Sequence, residues 1–215
     1  MEQGLEKLVG LFRQINDNAQ EMDKRWKNLK LAQEAFEMFV AMPLRCEGEL
    51  TPYSRAVLMH RMMDCVSELD IPRFSLKVRR YQLEMLAEEM LPEDIKTDMA
   101  FDSYEGKAEE YEHRLTADMV KNKIEKLEDY ISPAVTMDEF DKKYGRHLRH
   151  DPVESSEAWE RNIYEVEKEC DRKLEGEPRG MGFCFGYWSV KGNALRKRGI
   201  DWRSPHAMNP RVMFD

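Results

Sequence analysis

The stretch LEKLVGLFRQINDNAQEMDKRWKNL, residues 5–29, sets apolar side chains at Leu5, Leu8, Phe12, Ile15, Ala19, Met22, Trp26 and Leu29. The spacing alternates between three and four for more than three heptads, which lines one face of an α-helix. Beyond Leu29 the stripe shifts register through Ala32, Phe36 and Phe39, and Met42-Pro43 ends it, because a residue before proline avoids the α region. The pattern predicts one long helix, with Asn16-Asp17-Asn18 as the polar run able to interrupt it. Such a stripe serves either a coiled coil with a second copy or packing within the chain. Trp26 at a seam position is too wide for a two-stranded seam, and favours packing within the chain.

The same signals recur downstream. Thr51-Pro52 supplies an N-cap followed by proline at the first helical position, and a second helix carries Tyr53, Ala56, Val57, His60, Met63 and Leu69 as far as Asp70-Ile71-Pro72. Phe74 to Leu91 reads as a third helix ended by Pro92. Tyr104 to Ile131 reads as a second long helix, with Ala108, Tyr111, Leu115, Val120, Ile124, Leu127 and Ile131 on one stripe and Ser132-Pro133 closing it. Thr136-Met137-Asp138-Glu139 matches a capping box, Asp151-Pro152 opens a helix through Trp159, Ile163, Val166, Cys170 and Leu174, and Gly176-Glu177-Pro178 ends that helix.

No Asn-Gly or Asp-Gly turn sits between alternating segments, and no repeat recurs at a fixed period. The expected fold is therefore all-α: a helical bundle with two long helices and an irregular aromatic C-terminal tail packed on it. Residues 1–131 form one expected unit. Residues 136–215 form a smaller helical subdomain, unless the two make one continuous domain.

Composition narrows the function classes. Of 215 residues 35% are charged, with 42 acidic against 34 basic, so the net charge of −8 argues against a general nucleic-acid coat protein. The longest charge-free run is the eleven residues Gly180 to Val190, short of the roughly 18 that a membrane span needs. The opening MEQGLEKL lacks the basic and then apolar regions of a signal peptide. The cysteines at 46, 65, 170 and 184 have no CxxC spacing, so the expectation is reduced thiols in a cytoplasmic protein.

The last forty residues differ from the rest. Residues 176–215 hold seven Lys or Arg against three Asp or Glu, while the remainder of the chain is strongly acidic. Phe183, Tyr187 and Val190 fall on one helical face, with Cys184, Trp188 and Leu195 on the next. Arg196-Lys197-Arg198 followed by Gly199 suits the negative end of a helix dipole and a glycine C-cap. The tail, with Trp202, Pro205, Pro210 and Phe214, has too many helix breakers to be regular and too many aromatics to be a free end. Candidate binding residues are Trp188, Lys191, Arg196, Lys197, Arg198 and Trp202. The cations among them, with Arg203, would meet phosphates while the indoles stack on bases, or the segment would dock on the acidic remainder of its own chain. Arg179-Gly-Met-Gly-Phe-Cys-Phe185 resembles the ribonucleoprotein octamer of RNA-recognition domains, in which strand-borne aromatics stack on bases. It departs from that pattern at Gly186, where an aromatic is required, and in its helical surroundings.

Arg55-Ala-Val-Leu-Met-His60 has the R-x4-H spacing of helical ribonucleases and in that respect resembles the HEPN family. The resemblance implies that Arg55 and His60 act on a scissile phosphate; alanine after the arginine departs from the polar residue usual there. The other reading of His60 is a half-buried histidine with a satisfied hydrogen bond. His147 and His150, at i and i+3, would share a helix face and ligate a metal if Asp151, His206 or Cys184 supplied a third ligand, but flanking Arg146 and Arg149 oppose a dication. No GxxxxGK[ST], GxGxxG or Gly-x-Ser-x-Gly pattern occurs, so no cofactor is expected. Met59, Met62, Met63, Met85 and Met90 offer deformable apolar surface for an adaptable interface or for core filling. The expected function is a helical interaction or accessory protein without its own catalysis, binding a protein partner. The alternatives are a helical ribonuclease-like or metal-dependent phosphoryl-transfer enzyme, and a nucleic-acid accessory protein using the basic C-terminal segment.

Overall fold

The first stripe belongs to two helices. In the computed structural model, which describes residues 2–21, 24–42, 50–66, 70–88 and 115–214, α1 (Glu2–Gln20) ends before a turn and a 3-10 segment (Arg25–Lys27), and α2 (Asn28–Ala41) packs back against it. The expected single helix is therefore corrected to a hairpin. The buried Asn28 side chain donates to the Ile15 carbonyl (2.9 Å) and accepts from Asn18 (3.0 Å), and Arg25 Nε donates to the Ala19 carbonyl (3.0 Å). Each helix keeps its own apolar face, Leu8, Leu11 and Ile15 on α1 and Leu29, Ala32, Phe36 and Phe39 on α2. A three-four spacing does not distinguish a straight rod from a hairpin whose two arms bury the same stripe.

α3 (Pro52–Cys65) starts as its sequence dictates, with Thr51 Oγ1 accepting from Ser54 N at 3.1 Å. α4 (Pro72–Glu88) follows Ile71 and takes its N-terminal cap from far along the chain: Glu160 Oε1 accepts from Phe74 N at 2.8 Å, and Arg73 Nε donates to the Ser155 carbonyl at 2.6 Å. The expected end of this helix at Leu91-Pro92, Met90 and residues 104–114 lie outside the described residues.

The second expected long helix is also shorter. α5 (Ala117–Ile131) begins after Thr116, which has an extended backbone and accepts from Met119 N at 3.2 Å, so the helix does not continue back through Leu115. α6 (Met137–Tyr144) opens with the complete Thr136–Glu139 capping box. Asp151-Pro152 opens a 3-10 turn (Pro152–Ser155) rather than the helix itself. Ser156 caps α7 (Glu157–Lys173), its hydroxyl accepting from Trp159 N at 3.1 Å.

α8 (Phe183–Arg196) ends in a Schellman turn. Ile200 N–H donates to the Leu195 carbonyl (3.1 Å), Gly199 N–H to the Arg196 carbonyl (3.0 Å), and Gly199 adopts φ +74, a conformation that favours glycine. The tail holds one regular turn, α9 (Pro205–Met208), capped by Ser204. Asn209 pins it down, donating to the Arg149 carbonyl (2.7 Å) and accepting from Arg149 N (2.8 Å).

Among the described residues the protein is all-α, with nine α-helices and no strand. One apolar cluster runs from Leu8 through Phe39, Met59, Val78 and Trp159 to Trp202. Met59, Met62, Met63 and Met85 are buried in it, so these methionines fill core rather than surface. No helix among the described residues is long and apolar enough to cross a membrane.

Candidate functional site

The C-terminal segment meets its own chain through a buried ionic and aromatic cluster. Lys191 is buried on α8 and its Nζ lies 2.9 Å from Glu167 Oε1 of α7. The Tyr187 hydroxyl donates to the other oxygen of the same carboxylate at 2.5 Å. Three rings surround the ammonium, with centroids at 5.1 Å (Trp159), 5.5 Å (Trp202) and 5.6 Å (Tyr187), within cation–π range. Burial pulls the Lys191 pKa down, but Glu167, Tyr187 and Asp70 outweigh it and hold the amine above its ordinary value, so it stays charged. Trp202 Nε1 donates to Glu154 Oε1 at 2.5 Å, and burial, reinforced by the Asp70 carboxylate, pushes Glu154 up to about 7. Cys170 in the same interior is pushed up to about 12, chiefly by burial, which keeps it a thiol and not a nucleophile.

The rest of the basic segment is mostly committed as well. Lys197 and Arg198 both meet Glu169, at 3.4 and 3.0 Å, and Lys173 reaches the same carboxylate at 2.8 Å. Lys173 and Arg198 hold Glu169 down to about 2 against the opposing effect of burial. Arg203 pairs with Asp151 at 2.9 Å, through both its backbone and its guanidinium. Arg196 is exposed and donates to Asn193 at 3.1 Å. The six candidate binding residues are therefore not one surface: Lys191 and Trp202 are interior, Lys197 and Arg198 face Glu169, and Arg196 and Trp188 are left at the periphery.

Trp188 leads to a surface that the sequence alone does not assemble. Phe185 lies edge-on to Trp188 (5.5 Å) and to His206 (5.3 Å), Phe214 lies edge-on to Trp188 (5.1 Å), and His206 closes the ring of contacts to Phe214 (6.2 Å). Phe185 is 44% exposed and Met213, next to Phe214, is 96% exposed. The available signal was the i, i+3 pair Phe185 and Trp188. The contribution of His206 and Phe214 depends on how the tail folds back.

The remaining candidates separate. Arg55 is buried, its Nε donating to the Leu50 carbonyl at 3.3 Å, and its guanidinium also reaches Tyr81. His60 pairs instead with Arg79 of α4, at 2.9 Å. The shared helix face expected for His147 and His150 does not exist, because α6 stops at Tyr144 and Gly145, at φ +85, turns the chain into an irregular segment. His147 Nε2 accepts from Lys126 at 2.9 Å, which leaves Nδ1 to donate to the Gly145 carbonyl. His150 stacks on Tyr130 at 3.8 Å, and burial, partly offset by Asp151, pushes it down to about 4. An ammonium against one ring and an aromatic face against the other oppose a shared dication. No group of three metal-ligating side chains occurs among the described residues.

Clefts open on the surface of the described residues. One of about 700 Å³ runs along the C-terminal half of α7, with Trp26, Glu165, Lys168, Arg172 and Arg179 among its lining residues, so its charges are mixed. Another, of about 470 Å³, is lined by Phe36, Val40, Lys77, Tyr81 and Ile131. No family model matches the chain, nor does any curated protein or solved structure.

Proposed function

We propose that this chain is a helical protein-binding module, without catalysis of its own, that docks a segment of a protein partner on the aromatic surface of Phe185, Trp188, His206 and Phe214. The observation that carries this reading is the exposure of Phe185 and Met213 on a rigidly anchored support. α8 is closed by its Schellman turn, and the tail is fixed by Trp202 and Asn209. Aromatic and methionine side chains presented on an ordered scaffold make effective binding anchors, because little conformational entropy is lost when they are covered. Internal pairing of Lys191, Lys197, Arg198 and Arg203 speaks against the nucleic-acid alternative, since phosphate binding needs those cations for itself.

The test compares capture from native cells by the wild-type chain and by Phe185→Glu, each with and without nuclease. The expected result is a stoichiometric protein that survives nuclease and is lost with Phe185→Glu, while the thermal melt of the variant stays close to wild type. Recovery that nuclease abolishes, or a partner retained in full by the variant, overturns the reading.

A further inference from the structure

The cleft of about 470 Å³ shares no lining residue with the aromatic surface. Its long wall is one stripe of α4, in which Arg73, Leu76, Lys77, Arg80, Tyr81 and Glu84 fall on one helical face over about 16 Å. α2 contributes Phe36 and Val40, one turn apart, and α5 contributes Ile131 from its last turn. The Tyr81 hydroxyl donates to the Phe39 carbonyl at 3.1 Å, which ties α4 to α2, and the Phe36 ring meets Tyr81 and Phe74 edge-on at 5.6 and 5.9 Å. The floor is therefore fixed. Phe36 is buried in it, while Val40 is 50% exposed and Leu76, Tyr81 and Ile131 are half-buried.

Three cations line this floor, and their partners differ. Arg73 Nε donates to the Ser155 carbonyl at 2.6 Å, at the helix end that Glu160 caps through Phe74 N, and Arg80 pairs with Glu128 at 2.7 Å. Lys77 lies between them on the stripe. It is exposed, its ammonium is 5.4 Å from the Phe36 ring centroid, and it has no carboxylate partner among the described residues. Glu84 is the one acid lining the cleft among those residues, and it stands two turns of α4 beyond Lys77, about 10 Å along the axis. The middle of the cleft thus joins apolar surface to a positive charge that no carboxylate answers.

Such a surface selects an occupant that carries a carboxylate beside an apolar face. The cleft is an open trough, so whatever lies in it keeps one side in water, which suits an amphipathic helix and not a wholly apolar chain. Neighbouring helices with an apolar seam between them also present the ridges and grooves on which a further helix seats. We propose that the trough between α2, α4 and the end of α5 docks an amphipathic helical segment of a partner protein, its apolar side chains against Val40, Leu76 and Ile131 and a carboxylate against Lys77. About three turns of such a helix match the length of the α4 stripe. This surface is separate from the one formed by Phe185 and Trp188, and does not depend on it.

The test is a charge swap, read by fluorescence anisotropy of labelled peptides titrated with the full chain at constant ionic strength. One peptide is a helix of Leu, Ala and Glu about four turns long, with leucines on one face and glutamates flanking them; the other has Lys in place of each Glu. The acidic peptide should bind saturably and the basic one at least about fivefold more weakly. Lys77→Glu should shift that preference about fivefold or more toward the basic peptide, and Val40→Asp should weaken the acidic peptide about tenfold. Lys142→Glu, the same charge change on α6, and Phe185→Glu, on the aromatic surface, should each leave the affinities within about twofold. All four positions are at least partly in solvent, and a thermal melt confirms folding of each variant. No saturable binding, an unchanged preference in Lys77→Glu, an equal shift in Lys142→Glu or a loss in Phe185→Glu overturns the proposal. Saturable binding of dodecanoate in place of the acidic peptide would assign the trough to a lipid chain, and overturns it as well.

Discussion

The interior around α1–α4 and the interior around α7, α8 and the tail exclude water with different chemistry. The first is filled by Leu8, Ile15, Phe36, Phe39, Met59, Met62, Met63 and Met85, and three of its buried polar side chains reach backbone, Asn28 to the Ile15 carbonyl, Arg55 to that of Leu50 and Gln82 to that of Ala56, while buried Arg79 at its edge bonds to the side chains of Gln82 and His60. The second mixes Trp159, Val166, Leu195 and Trp202 with Glu154, Glu167 and Lys191, whose partners are one another and the indole and phenol groups between them. A backbone carbonyl is neutral and carries the same group whatever the local side chain, so the first interior, away from Arg79, depends mainly on volume. The second depends on charges that are stable in place only while every partner is present.

The sharpest way to break this contrast is Lys191→Met, which nearly preserves length while removing the ammonium. Of Lys191 and Tyr187, Glu167 then keeps the Tyr187 hydroxyl, and the three rings lose the cation at their centre. Removing one member of a buried pair typically costs about 3–5 kcal/mol, and urea unfolding at neutral pH should show a loss in that range. Pairing Lys191→Met with Glu167→Leu should recover most of it, because an apolar pair carries no stranded charge. A single variant as stable as wild type would show that Lys191 contributes packing and no electrostatics.

The same contrast explains what could be read from the sequence. Local signals gave the right answer at three helix ends whose cause is local: the Thr51-Pro52 start, the Thr136–Glu139 capping box and the Gly199 turn each depend on residues within one turn of helix, whereas Asp151-Pro152 opens a 3-10 turn and the helix waits for Ser156. The α1–α2 hairpin was not legible, because its stripe has the same period straight or folded, and the deciding bonds of Asn28 reach back ten and thirteen residues. Thr116 was hidden in the same way, since a capping threonine does not interrupt an apolar stripe that resumes on the same face. In the C-terminal segment the basic residues were visible but their counter-ions were not. Glu167 and Glu169 look like the solvated face of α7 until α8 is packed on it.

A smaller effect sharpens the contrast through pH. Glu154 titrates at about 7 when folded, against an ordinary value of 4.5, so the folded chain holds this proton more tightly than the unfolded chain does. Its stabilisation is complete below the unfolded value and is lost as pH rises through the folded one. His150, pushed down to about 4, acts in the opposite sense: its stabilisation is present above its ordinary value and lost as pH falls. Comparing wild type with Glu154→Gln at each pH cancels the histidine and isolates the carboxyl. The amide oxygen still accepts from Trp202 Nε1 but carries no charge. Relative to wild type, the variant should gain about 2–3 kcal/mol in urea unfolding between pH 5 and pH 8. A difference that does not change with pH would place Glu154 in water.

The smallest expected effect is the control in the other interior. Met62 is buried among Met59, Met63 and Met85, with no charge or obligatory hydrogen bond on its side chain. Met62→Leu approximately conserves volume, and the flexible thioethers around it can shift to fill the difference in shape. The cost should stay below about 1.5 kcal/mol, with an unchanged denaturant slope and no dependence on pH between 5 and 8. If Met62→Leu costs as much as Lys191→Met, the methionine interior is specified by shape as strictly as the ionic one is by charge. If it costs little, tolerance in this protein follows from how buried polar groups are partnered, since both residues are buried and differ chiefly in whether removing the side chain strands a charge.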